Sequence, residues 1–260
     1  MVPNIFHFIF GLHKDFGGSP FSFINYLAIK SAYECNKPKA IKFYYKYEPS
    51  GKWWERSKKY LTLIKIEPPT EIFGNPLIHY AHQADVLRLE ILLREGGIYL
   101  DLDVICLNSF KPLLKYDCTM GREFRGTTLC NAVIFAKPKA EFLKKWYKKY
   151  SNFRSRGLDR FWNEHGCYIP AKIAHRNPKI IHIEDQFSFF WPSWAEPNVL
   201  WRIPSSISER RKDRIILKLL NQSYCIHLWA HIWKDHLKDL TPGYIKKTDN
   251  ILSKLCRRYL

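Results

Sequence analysis

The 260-residue sequence is short of acid: 24 Asp and Glu stand against 42 Lys and Arg, a formal net charge of +18 at pH 7. It has no apolar run near the roughly 18 residues that a membrane-spanning helix needs. The opening Met1-Val2-Pro3-Asn4-Ile5 lacks the positive n-region and small-residue cleavage site of a signal peptide. The expectation is a cytoplasmic chain that folds from its first residues. There is no C-x-x-C pair. The seven cysteines, at 35, 106, 118, 130, 167, 225 and 256, are odd in number and scattered. That excludes the tight pattern of a disulfide framework or thiolate zinc site, and buried reduced thiols are expected. Internal repeats, low-complexity tracts and long polar linkers are also missing, so a single domain over residues 1–260 is expected.

Hydrophobic residues make up 46% and aromatic residues 16%, enough to bury a large core and to exclude disorder over most of the chain. The basic excess admits nucleic acid, an anionic membrane surface or a phosphate-bearing substrate as partner. Lys144, Lys145, Lys148 and Lys149 share one face of a helix whose other face carries Phe142, Leu143, Trp146 and Tyr147. Such a helix suits either a solvated protein surface or a membrane surface. Short apolar runs at 5–10, 41–45, 61–66, 132–136 and 180–183 read as strands, separated by helical stretches that include one at 208–220. The alternation predicts an α/β fold with a largely parallel sheet.

The informative stretch is HYAHQADVLRLEILLREGGIYLDLDV, residues 79–104. Residues 83–94 predict a helix, with Gly96-Gly97 as its stop. Asp85 and Arg88 lie three apart on it and can touch. Beyond the glycines, Ile98, Leu100, Leu102 and Val104 alternate with Tyr99, Asp101 and Asp103, which predicts a strand with both carboxylates on one side. Two buried carboxylates need compensation. Either a hard divalent cation such as Mg²⁺ or Mn²⁺ provides it, or the pair caps a turn and meets Arg88 or Arg94.

Ala84-Asp85-Val86-Leu87-Arg88 followed by Gly96-Gly97-Ile98-Tyr99-Leu100-Asp101-Leu102-Asp103 resembles the sugar-binding signature of the family thirty-two glycosyltransferases. That family includes yeast-type α-mannosyltransferases, vertebrate α-galactosyl and α-N-acetylglucosaminyl transferases, and clostridial toxin glucosyltransferase domains. Asn4-Ile5-Phe6-His7-Phe8-Ile9-Phe10 is similar to the family's first strand, with Phe10 where Trp is usual. His227-Leu228-Trp229-Ala230-His231-Ile232-Trp233 resembles its closing motif, with His231 and Ile232 replacing Gly-Ser.

The resemblance implies a GT-A type fold, with a donor-binding core over about 1–136 and an acceptor and closing region over about 137–260. It implies a retaining, metal-dependent transfer of a hexose from a UDP- or GDP-sugar to a glycan or lipid-linked saccharide. Carried over residue by residue, Asp103 binds Mn²⁺ or Mg²⁺, and Asp101 binds it through water or holds the ribose. Asp85 and Arg88 bind the donor sugar, with Arg88 also near the diphosphate. Phe8, Ile9, Phe10, Tyr99 and Asn131 line the donor pocket, and the Trp233 indole donates to the β-phosphate. Either His227 or His231 adds a metal ligand. A metal nuclease or basic nucleic-acid-binding protein is the competing reading, against which no recognition module is present; no nucleic-acid partner is expected. The basic helix face and the tail Lys254-Leu255-Cys256-Arg257-Arg258 suit peripheral membrane association, and the loop at 191–194 offers aromatic faces to an acceptor or to the core. A bacterial or large-virus source is expected.

Overall fold

The computed structural model describes residues 1–123, 126–201 and 208–260. Strand and helix alternate through β1 (Ile5–Ile9), α1 (Phe23–Asn36), β2 (Ala40–Tyr45), α2 (Lys52–Lys58) and β3 (Thr62–Lys65). A small hairpin, β4 (Glu71–Ile72) and β5 (Asn75–Pro76), precedes α3 (Tyr80–Glu95), β6 (Gly97–Leu100) and β7 (Val104–Cys106). Next come β8 (Cys118–Arg122), β9 (Leu129–Ala136), α4 (Glu141–Lys148), α5 (Ile169–Arg176) and β10 (His182–Glu184). The remainder is α6 (Gln186–Phe189), α7 (Asn198–Trp201), α8 (Glu209–Gln222), β11 (Cys225–His227), α9 (Lys234–Leu237), α10 (Pro242–Lys247) and α11 (Ile251–Cys256).

Seven strands form one sheet in the order β10-β8-β9-β6-β1-β2-β3. β1 is parallel to β2 and β6, β2 to β3, and β8 to β10, while β9 runs antiparallel to β6 and β8. Only β9 opposes the rest, so the sheet is largely parallel, as expected. The two-residue period of the strands sorts side chains into two cores. Phe6, Phe8, Ile98 and Leu100 enter one with α1; Ile9 and Tyr99 enter the other with α3 and α4.

The junction of β1 and β6 is set by His7. Its Nε2 lies 2.8 Å from the Gly96 carbonyl, so that nitrogen donates, and Nδ1 accepts from the Tyr44 hydroxyl at 3.1 Å. A neutral ring satisfies both contacts, and burial lowers the imidazole to about 4. Gly97 has φ +110°, and a Cβ there would lie 2.6 Å from both His7 Nε2 and the Ile5 carbonyl oxygen. The Gly-Gly pair is therefore a helix stop and also a close approach of two strands that no side chain fits.

The unbroken strand expected over 98–104 is not formed. β6 ends at Leu100, and the chain turns through Asp101, Leu102 and Asp103 before β7 pairs antiparallel with β11, His227 opposite Val104. The Val104 N–H donates to the Asp101 carbonyl at 3.1 Å, Asp101 N–H to Ala132 O at 2.9 Å, and Asn25 Nδ2 to Leu102 O at 3.0 Å. Leaving the sheet spares both carboxylates burial against an apolar layer, the cost that a continuous strand would impose.

All seven cysteines are free and six are buried. Among the described residues no helix is long and apolar enough to cross a membrane. The tail cations are engaged internally: Arg257 donates to Ile245 O and Thr248 O, Arg258 to Leu107 O, and Lys254 faces Glu209, Asp213 and Asp249. Arg257 and Arg258 remain exposed at the surface.

Candidate active site

Helix α3 contributes Asp85 and Arg88 because its i, i+3 spacing stacks them toward the end of the sheet. Arg88 is 5% exposed. It reaches Asp85 Oδ1 at 3.1 Å, Asp101 Oδ1 at 3.3 Å and the Asn131 carbonyl at 2.8 Å, with its guanidinium 4.3 Å from the Tyr99 ring centroid. Burial alone would lower the guanidinium, but Tyr99, Asp101 and Asp85 outweigh it and raise it instead. Asn131 Nδ2 donates to Asp85 Oδ1 at 2.8 Å, and the Tyr99 hydroxyl donates to Asp101 Oδ1 at 2.6 Å. The structure thus brings Asp85, Arg88, Tyr99, Asp101 and Asn131 into one network.

Asp103 is held from the other side by the segment after β11. Its Oδ1 is 3.1 Å from His227 Nε2, and its Oδ2 accepts the Ala230 N–H at 2.7 Å. Burial opposes ionisation of both partners, yet their mutual attraction raises His227 and holds Asp103 low. Asp101 is raised by burial and by the neighbouring Asp103, with Arg88 opposing. Ligand atoms of Asp101, Asp103 and His227 all lie within 4.8 Å of one another. A cation bonded at about 2.1 Å sets adjacent ligands roughly 3 Å apart and opposite ones about 4 Å apart, so the three side chains close in on a shared ion. Two carboxylates and an imidazole are suitable donors for a divalent cation, and the residues fit one.

The two candidate histidines separate here. His227 belongs to this cluster. His231 is exposed and lines the same cavity, outside the group of three.

Three cavities meet at the acidic turn, all walled by Asp101. One of about 230 Å³ contains Ile9, Phe10, Tyr80, Arg88 and Tyr99. One of about 540 Å³ contains Ile9, Phe10, Asn25, Asp103, Ala230 and Lys234. The third, about 620 Å³, contains Asp103, Glu123, Asn131, Trp162, His227 and His231. Phe10 faces the first two and stacks on Phe16 with centroids 5.6 Å apart. Phe8 does not reach them: strand alternation turns it into the core, fully buried, and it drops out of the donor-pocket set. Trp233 is also redirected, since its indole N–H donates to the Trp194 carbonyl at 2.9 Å.

Sequence reasoning missed four contributors. His82 Nδ1 is 3.4 Å from Asp85 Oδ2, and its Nε2 is 2.9 Å from Ser155 Oγ. It lies three residues before Asp85 on the same helix, a spacing that was readable. Lys234 adds a cation to the lining of the second cavity, and Glu123 adds a carboxylate to the third, where it accepts from Thr128 Oγ1 at 3.0 Å. The Ala230 N–H, being backbone, carries no sequence signal. Of the loop at 191–194, Trp194 lines the third cavity while Trp191 stacks on Phe187 at 4.9 Å, so its aromatics divide between site and interior.

A largely parallel sheet with an acidic turn at the end of a central strand, backed by a helix-borne Asp and Arg, is the arrangement of a GT-A glycosyltransferase. Residues 11–120 match the glycosyltransferase sugar-binding region containing a DXD motif. The chain is 33% identical over 272 residues to Glucan organizing enzyme 1 of Cryptococcus neoformans var. grubii, covering all of this chain and 71% of that protein. It is 32% identical over 115 residues to Inositol phosphoceramide mannosyltransferase 3 of Schizosaccharomyces pombe, covering 44% of this chain and 28% of that one. The apo form of the glycosyltransferase GlyE from Streptococcus pneumoniae TIGR4 is similar in structure at a TM-score of 0.52 and 12% identity, over 99% of this chain and 60% of that one. The chain belongs to the DXD-motif glycosyltransferases.

Proposed function

We propose that the chain moves a hexose from a UDP- or GDP-linked donor to a glycan or lipid-linked saccharide, with retention of configuration and with Mn²⁺ held by Asp101, Asp103 and His227. The observation that carries this reading is the convergence of the three ligands at the point where all three cavities meet. A mixed carboxylate and imidazole set favours Mn²⁺ over the harder Mg²⁺. When bound, the cation supplies Lewis-acid neutralisation of the diphosphate.

The protein's own groups do the rest. Phe10 offers a ring face to the base. Arg88 fixes Asp85 and Asp101 in place, and with Asn131 it presents Asp85 to the donor sugar's hydroxyls. Lys234 takes the anionic contact that the engaged Trp233 indole does not make. Charge building on the leaving diphosphate is met by groups already oriented, so little reorganisation is needed as the bond breaks. The third cavity admits the acceptor on the same face from which the diphosphate departs. The anomeric carbon exchanges its bond to the diphosphate oxygen for one to the acceptor oxygen. The hydroxyl proton passes to the departing phosphate.

The test is nucleotide release from a panel of UDP- and GDP-sugars with Mn²⁺ or with EDTA. One donor should be hydrolysed with Mn²⁺ alone, and Asp103→Ala should lower that rate about a hundredfold or more. Release that ignores EDTA, or that survives in the variant, would remove the metal-assisted reading.

A further inference from the structure

We propose that the mouth of the third cavity docks on an anionic lipid surface, so that the acceptor is a membrane-borne amphiphile; this deepens, and rests on, the transferase reading of the same site. Twelve large hydrophobic side chains are exposed among the described residues, and four of them, Leu158, Tyr168, Trp194 and Ile232, line this one cavity. Exposed apolar residues scattered singly need no explanation, but a cluster on the rim of a polar site does. Leu158 is 69% exposed and Ile232 56%. They arrive from segments more than 70 residues apart, so no local composition accounts for their meeting.

The charged residues of the third cavity itself are Asp101, Asp103 and Glu123, and the cations stand in the cleft beside its rim. Tyr168, Thr127 and Thr128 also wall an adjoining cleft of about 760 Å³, whose cationic lining is Arg122, Lys172 and Arg176, with His175 beside them. No Asp or Glu appears among its described lining residues. Lys172, His175 and Arg176 share one face of α5 at i, i+3 and i+4. Cations in a last helical turn complement the helix dipole, but Arg122 comes from the end of β8 and faces the same cleft.

An apolar and aromatic rim beside a cationic wall is what an anionic interface recruits: side chains enter the headgroup region and lysine and arginine meet its charge. A free polar glycan would be served by the Tyr168 and Trp194 faces and would have no use for Leu158 or Ile232. The basic face of α4 lacks this pairing, because Phe142, Leu143 and Trp146 turn inward. Docking at the mouth also aligns the site with a headgroup hydroxyl without lifting the lipid out of its bilayer.

The experiment is co-sedimentation of the full chain, without donor, with phosphatidylcholine vesicles and with vesicles that add phosphatidylinositol, at physiological salt. Binding should be at least tenfold tighter to the anionic vesicles. The pair Lys172→Glu/Arg176→Glu and the pair Leu158→Ser/Ile232→Ser should each lose at least tenfold, while Lys144→Glu/Lys148→Glu should keep most of the binding. Equal partition between the two vesicles, or loss in the α4 pair with the mouth pairs intact, would overturn the proposal. So would binding of glucose 6-phosphate by a chain that ignores vesicles, which would assign the cleft to a soluble phosphorylated acceptor. Donor hydrolysis is read separately, without lipid: a chain that docks but never hydrolyses keeps the surface and loses the enzymatic reading.

Discussion

At the scale of the residue, His7 shows how a buried polar group specifies the site from a distance. Its ring is neutral because both nitrogens are committed, one to the Gly96 carbonyl and one to the Tyr44 hydroxyl, and because burial disfavours charge. Unfolding releases it to its ordinary value of 6.5, so the unfolded chain binds the extra proton between pH 6.5 and about 4. Stability from this residue is therefore complete above pH 6.5 and drains away as pH falls toward 4. The depression corresponds to roughly 3 kcal/mol at the low end. Urea unfolding of the chain and of His7→Gln across that window should show the wild type losing stability by the larger amount as pH falls. Parallel losses in the two would mean that His7 titrates normally. Asp85, Arg88, Asp101 and Asp103 were legible as a group because they fall within one continuous string. The neighbouring role of His7 was not, since its partner carbonyl is 89 residues away.

At the scale of the element, periodicity identified what was locally determined. The helix expected over 83–94 is the interior of α3, and Gly96-Gly97 ends it as read. Ile98 and Leu100 oppose Tyr99 as alternation requires. The pattern then overran, because Leu102 and Val104 keep the alternation while the Val104 N–H closes a turn onto the Asp101 carbonyl and the Asn25 side chain holds Leu102 O. Whether His227 or His231 joins the metal set was beyond local reading as well. It is decided by the antiparallel pairing of β11 with β7 across more than 100 residues, which puts His227 opposite Val104 and next to Asp103. The same segment places Trp233 with its N–H on Trp194. Trp233→Phe should therefore leave the donor KM within about twofold of wild type and cost about 1 kcal/mol of stability, the usual worth of one internal hydrogen bond. A tenfold rise in donor KM at unchanged stability would return the indole to the diphosphate.

At the scale of the whole molecule, the site is a seam. The Asp101–Asp103 turn leaves the central sheet, whereas His227 and the Ala230 N–H arrive with the C-terminal segment, itself anchored by Leu228 N–H on the Asp103 carbonyl at 2.9 Å. A cation at this seam ties the two together and has no comparable site in the unfolded chain, so binding must stabilise the fold by mass action. At free Mn²⁺ about a hundredfold above its dissociation constant the gain is about 2.7 kcal/mol. For a chain of this size that corresponds to a rise of roughly 5–10 °C in Tm. EDTA should reverse the rise, and Asp103→Asn should abolish it while leaving a cooperative transition. Asp85→Asn, whose carboxylate serves Arg88 and Asn131 and lies outside the cluster of three, should keep it. The contrast separates a metal that bridges the seam from one that binds carboxylates indiscriminately, because each variant removes one carboxylate charge. If Mn²⁺ raises Tm equally in all three proteins, the cation is held elsewhere on the surface, and the meeting of Asp101, Asp103 and His227 is an ordinary buried ion pair.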